Sequence, residues 1–171
     1  MPWCRRKRTS SGRTKRRSPV PGGTWRDPGA DGRLGIDIFR HPDWQRRLIG
    51  YLESRASTPF EFCIHDCAAF AHGAVEAITG TALAPDRFGY RTHSGGLRVA
   101  RRAGFADAAG WLDAHLPSCP HSMARPGDLV LVAGDEGPTL SVCQGPYVYV
   151  PMAIGWGTMP LTTGLRAWRI G

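Results

Sequence analysis

Apolar and polar positions divide the chain into stretches of different character. Residues 1–32 consist largely of Arg, Lys, Ser, Thr, Gly and Pro and offer almost nothing to bury. The pattern therefore predicts an extended basic arm that does not fold alone. Apolar residues begin at Leu34-Gly35-Ile36-Asp37-Ile38-Phe39, then recur at helical spacing at Trp44, Leu48, Tyr51 and Leu52. With Asp43 as N-cap and Thr58-Pro59 as the stop, a helix is predicted over about 43–56. Phe60-Glu61-Phe62-Cys63-Ile64 alternates like a strand or an extended lead-in. A second helix is predicted from Cys67 to Thr79, capped by Asp66 and stopped by Gly80. Its buried face is Phe70, Ala71, Ala74, Val75 and Ile78, and its many small residues predict close, central packing. Helices at about 94–103, capped by Ser94, and 105–116 follow. After Arg125-Pro126-Gly127 the apolar period shortens to two, which predicts strands at Asp128–Val132, Leu140–Gln144, Tyr147–Val150 and Leu165–Ile170. Helices first and antiparallel strands afterwards predict an α+β fold. The organisation is an arm, 1–32, followed by one domain, 33–171.

Composition narrows the class. Apolar residues at 42% and charged residues at 21% are ordinary for a globular domain, against a fully disordered, collagen-like or coiled-coil chain. No stretch reaches the roughly 18 apolar residues of a membrane helix. No apolar run follows the early basic cluster, so neither a signal peptide nor twin-arginine export is expected. The net charge of +8 sits in the arm: Arg5, Arg6, Lys7, Arg8, Arg13, Lys15, Arg16 and Arg17 face no acid within residues 1–17. The remaining chain holds 14 basic and 14 acidic residues. That balance argues against reading the whole body as a nucleic-acid module, because phosphate-driven binding needs a basic surface. The arm itself has charge to offer DNA or an acidic subunit surface. Five cysteines without an export signal are read as reduced thiols made in a cytosol rather than a disulfide framework.

His65-Asp66-Cys67 is the sharpest chemical feature. A cysteine in the first helical turn meets free backbone N–H groups and the positive end of the helix dipole. Both favour the thiolate, the attacking species in covalent catalysis. Cys63-Ile64-His65-Asp66-Cys67 and Cys119-Pro120-His121 place soft ligands close together, but the spacings match no zinc finger or ribbon, and no metal or cofactor is assigned. Trp44, Trp111, Trp156 and Trp168 are read as packing residues before stacking platforms. The segment Pro151–Pro160 reads as an irregular apolar loop displaying Met152, Ile154, Trp156 and Met159, a candidate interface.

Asp66-Cys67-Ala68-Ala69-Phe70 followed by Pro126-Gly127-Asp128-Leu129-Val130 resembles the NlpC-type branch of papain-like cell-wall peptidases. A longer series resembles short prophage proteins encoded beside the tail-assembly genes of tailed phages and gene-transfer agents. It comprises Asp43-Trp44-Gln45-Arg46-Arg47-Leu48, His65-Asp66-Cys67, Ala77-Ile78-Thr79-Gly80, Gly89-Tyr90-Arg91, Gly127-Asp128-Leu129-Val130 and Ala167-Trp168-Arg169. The resemblance implies a papain-like domain with Cys67 at the nucleophile position. It also implies a base histidine at the start of the second sheet strand, where this chain has Thr139 and Leu140. No histidine follows His121. His65 is the nearest substitute in sequence.

Three functions are therefore expected in turn. The first is a structural tail-tip component, made in the bacterial cytoplasm, located in the virion tail and bound to other tail-tip or hub proteins. The second is an active cysteine peptidase or amidase that opens peptidoglycan during DNA entry. The third is a nucleic-acid-binding module acting through the basic arm.

Overall fold

The computed structural model describes residues 38–83, 89–135 and 137–171. The predicted basic arm and its eight cationic residues lie outside these. Four helices come first: α1 (Trp44–Arg55), α2 (Cys67–Thr79), α3 (His93–Arg102) and α4 (Ala108–His115). Six strands follow: β1 (Ser118–Cys119), β2 (Leu129–Gly134), β3 (Gly137–Cys143), β4 (Tyr147–Pro151), β5 (Trp156–Pro160) and β6 (Gly164–Trp168). They form one antiparallel sheet in the order β1-β6-β2-β3-β4-β5. The fold is α+β.

Period-two alternation gives the sheet two buried faces. Leu129, Leu140, Val142 and Trp168 turn toward α1 and α2, where they meet Leu48, Leu52, Phe70, Ala74, Val75 and Ile78. Val130, Val132, Cys143, Val148, Val150 and Ala167 turn the other way, against Cys119, Ala124, Met159 and Leu161. Phe70 and Ile78 are wholly buried, and each contributes about 1.5–3 kcal/mol. The small residues of α2 do allow close approach. A Cβ on Gly73 would lie 2.6 Å from the Tyr51 hydroxyl of α1, and that hydroxyl donates to the Phe70 carbonyl at 2.9 Å.

The α2 prediction holds at both ends. Asp66 accepts from Ala69 N at 2.8 Å, and Gly80 closes the helix in the left-handed region at φ 72°. Other boundaries need correction. Thr92, not Ser94, caps α3, its hydroxyl accepting from Gly95 N. Asp107 caps α4, so that helix begins three residues later than predicted. Phe60–Ile64 is no strand. Glu61 O accepts from the N–H groups of Ile64 and His65, which curls the segment into a turn. Half of the predicted 151–160 loop is strand β5, paired along β4 from Trp156 to Pro160.

Asp128 ties the ends of the domain together. Its carboxylate, 1% exposed, accepts from Arg40 Nη2 at 2.8 Å and Arg169 Nη1 at 3.0 Å. It also accepts from the backbone N–H groups of Arg125 and Ile170. Arg40 further donates to the carbonyls of Pro126 and Ile170. The preceding Gly127 is required twice over. Its φ is +89°, and a Cβ there would press on Trp44, Arg40 and Ile78 at 3.1–3.3 Å. The Gly-Asp motif is thus a structural staple between the entry to α1, the start of β2 and the chain's last residues.

Candidate functional site

The site is built around the first turn of α2. Asp66 is buried, and its carboxylate is fully engaged: Oδ1 accepts from Ala69 N and Oδ2 from Cys63 N, both at 2.8 Å. Burial, together with the nearby Asp66 charge, holds the Tyr90 proton on well above the usual phenol range. Cys63 takes a left-handed backbone, φ 70°, which is strained for a residue with a Cβ. Its sulfur accepts from Gly89 N at 3.0 Å. The Gly89-Tyr90 segment is therefore fastened onto the turn that launches α2.

His65 is wholly buried. A carbonyl oxygen can only accept, so Nε2 carries the proton and donates to Gly155 O at 2.6 Å. Its Nδ1 is buried without a hydrogen-bond partner, and the ring stands edge-on to Phe70. Neither nitrogen engages the Cys67 thiol. The Gly155 carbonyl belongs to the β4–β5 turn. There Gly155 N donates to Thr58 O, and at φ +66° a Cβ would lie 2.1 Å from Ala56 O. His65 holds that turn against the end of α1 and is not a candidate base for Cys67.

Cys67 is half-buried at the head of α2. Burial pushes its thiol pKa up, and the neighbouring Asp66 charge acts in the same direction. The backbone N–H groups of Leu140, Ala68 and Cys67 oppose the rise without cancelling it. This corrects the thiolate expected from a helix start: desolvation outweighs the helix N-terminus. The β3 segment where the peptidase resemblance places a base does reach the thiol, but it presents the Leu140 N–H. The Leu140 side chain is buried in the core, and the Thr139 hydroxyl donates to Gly137 O.

The other histidines have structural surroundings. His115 is stacked on Trp111 at 4.1 Å and donates to the Trp111 carbonyl. His72, on α2, is driven down to about 4 by burial. Among the described residues no three His, Cys, Asp or Glu side chains converge to hold a metal ion. No helix of the described residues is long and apolar enough to cross a membrane.

The four predicted interface residues separate. Met152 and Ile154 are exposed, at 51% and 69%, beside exposed Phe60. They are brought together by the Pro59–Ile154 bridge and the Phe60 N to Ala153 O hydrogen bond. Trp156 is instead packed on the main core, donating from Nε1 to Leu52 O at 2.8 Å and standing edge-on to Tyr149. Met159 lies under the opposite sheet face. The alternation along β5 explains the split, because Trp156 and Met159 fall on opposite sides of the strand. Sequence reasoning missed Tyr90, Gly155 and Arg40. The Gly89-Tyr90-Arg91 run marked the first of them, but nothing local tied it to Asp66.

No curated protein matches the chain. Residues 39–170 match the family described as Domain of unknown function (DUF6950). The chain belongs to the DUF6950 family.

Proposed function

We propose that the protein is a non-catalytic assembly component, built on an NlpC-type papain-like scaffold and located at the tail tip of a tailed phage or gene-transfer agent. The observation that carries the non-catalytic part is His65, whose Nε2 is committed to Gly155 O and whose Nδ1 makes no hydrogen bond, so that it does not engage the Cys67 thiol. Nucleophilic attack needs the thiolate, and burial holds this thiol protonated. A leaving amine would also find no acid beside Cys67 to protonate it. The resemblance of six ordered motifs to tail-cluster proteins supports the virion assignment. The exposed Phe60, Met152 and Ile154 apex supports binding to other tail-tip or hub proteins, since apolar anchors of this kind fill interface cores.

Two measurements test the reading. Purified protein incubated with peptidoglycan is expected to release no muropeptides, and to match its Cys67→Ala variant. Release that vanishes in Cys67→Ala would replace this reading with that of an active peptidase or amidase. In purified particles, Ile154→Asp is expected to lower the amount of this protein, while Cys67→Ser leaves both amount and infectivity intact. Infectivity lost with Cys67→Ser at normal incorporation would again favour the enzyme.

A further inference from the structure

The body is neutral in total, but its charge is not evenly placed. Residues 87–106 contain five arginines and no acid. Four of these are described and exposed: Arg91, just before α3, and Arg98, Arg101 and Arg102 on it. Positions 98, 101 and 102 are spaced i, i+3 and i+4, which places them on one helix face within about one turn of 5.4 Å. Leu97, Val99 and Ala100 are half-buried, and α3 has no fully buried residue.

Elsewhere most of the described arginines are matched, the exposed Arg125 before β2 excepted. Arg40 and Arg169 meet Asp128, Arg46 and Arg47 meet Asp43, and Arg166 meets Asp113. Arg55 lies over the Tyr51 ring. Among the described residues none of Arg91, Arg98, Arg101 and Arg102 is paired with a carboxylate. On α3 the pairs Arg98–Arg101 and Arg98–Arg102 are like-charge neighbours, each unfavourable to the helix by about 0.2–0.5 kcal/mol. With no carboxylate partner among the described residues, this face is free to meet an external anion.

We infer that the α3 face is a sequence-independent binding surface for the phosphate backbone of duplex DNA. One feature favours this partner over an acidic protein, and two more fit it. The face carries guanidiniums with Ser94 and Thr92 and no exposed aromatic or aliphatic anchor, whereas protein interfaces draw their affinity from such anchors. Every cation after Lys15 is arginine, whose planar fork matches phosphate bidentately. Residues 87–106 hold no acid of their own, so the segment itself does not repel a polyanion laid along the helix. The α3 face would bind DNA in this way whether or not the protein belongs to a tail.

The test uses the full-length protein and a fluorescein-labelled 20-base-pair duplex of random sequence, titrated by anisotropy between about 50 and 200 mM salt. Binding is expected to be independent of sequence. The triple variant Arg98→Gln/Arg101→Gln/Arg102→Gln should bind at least about tenfold more weakly. Its log–log salt slope should be shallower by about 2–3, close to 0.9 for each phosphate no longer neutralised. The triple lysine variant should keep most of the slope, which separates the effect of charge from that of folding. Arm variants such as Arg5→Gln/Arg6→Gln give the arm's own share. An unchanged slope in the triple glutamine variant, or no DNA binding at all, would overturn the inference. Polyglutamate that binds as tightly as a DNA of equal charge would overturn it in favour of an acidic protein surface.

Discussion

Asp128 and Arg98 belong to regions that treat charge in opposite ways. Around Asp128 each oxygen is taken up by the fold: two guanidiniums and two backbone N–H groups converge on a carboxylate with almost no access to water. Asp66 repeats the pattern with Cys63 N and Ala69 N. On α3 and just before it, four guanidiniums stand in solvent with no described carboxylate beside them. The lesson concerns motifs. Asp-Cys at a helix start and Gly-Asp at a strand start look like pieces of an active site, yet their carboxylates serve internal hydrogen bonds. The unsatisfied polar capacity lies on a helix that carries no recognisable catalytic motif.

The largest expected effect follows from removing the Asp128 carboxylate. Asp128→Ala leaves Arg40 and Arg169 without their partner and frees the backbone N–H groups of Arg125 and Ile170. Breaking a buried pair from one side costs about 3–5 kcal/mol. For a domain of this size the melting temperature should fall by roughly 10 °C. Calorimetry of Asp128→Ala beside wild type checks this, and a fall of only a degree or two would mean that the staple is no more than a surface salt bridge.

A smaller effect is expected on acidification. Folded His72 titrates near 4, against 6.5 for an exposed imidazole, because burial disfavours its charged form. The unfolded chain therefore binds this proton first. Its contribution to stability is complete above about pH 6.5 and is lost as the pH falls toward 4. The loss is up to roughly 3 kcal/mol. His72→Gln should flatten that part of the stability curve between pH 7 and 4.5 in denaturant titrations. An equally steep curve in the variant would place the acid sensitivity in another group.

Much of the fold was readable from the sequence because local signals agreed with tertiary ones. Asp66 and Gly80 bracket α2 as cap and stop, and the period change after Gly127 marks where strands begin. Local signals failed where a distant partner decides. Phe60–Ile64 alternates like a strand, but Pro59 forms only a single bridge, to Ile154, and Cys63 turns into the left-handed region. Met152–Met159 looked like one apolar loop because its glycines hide the alternation that β4 imposes on β5. The Cys67 site was read correctly in its placement and incorrectly in its proton affinity. Helix-start N–H groups are visible in a sequence, but the burial that outweighs them comes from tertiary packing. His65 could not be assigned from sequence at all, because its partner, the Gly155 carbonyl, lies 90 residues away.

The smallest stability effect is expected on α3, and it sharpens the contrast most. If its arginines belong to a binding face, the fold should not depend on them. Removing Arg98 and Arg101 ends two like-charge repulsions, a gain of a few tenths of a kcal/mol. Arg101 also lies in the last turn of α3, where a cation favours the negative end of the helix dipole by a similar amount. The opposing terms leave Arg98→Gln/Arg101→Gln within about 0.5 kcal/mol of wild type, the usual range for exposed substitutions. Raising salt should narrow even that difference, because both terms are screened. Denaturant midpoints at low and high salt measure it. A destabilisation of about 2 kcal/mol or more, on the scale expected for buried charge, would show that these guanidiniums are held by the fold as Arg40 and Arg169 are, and the distinction between the two regions would disappear.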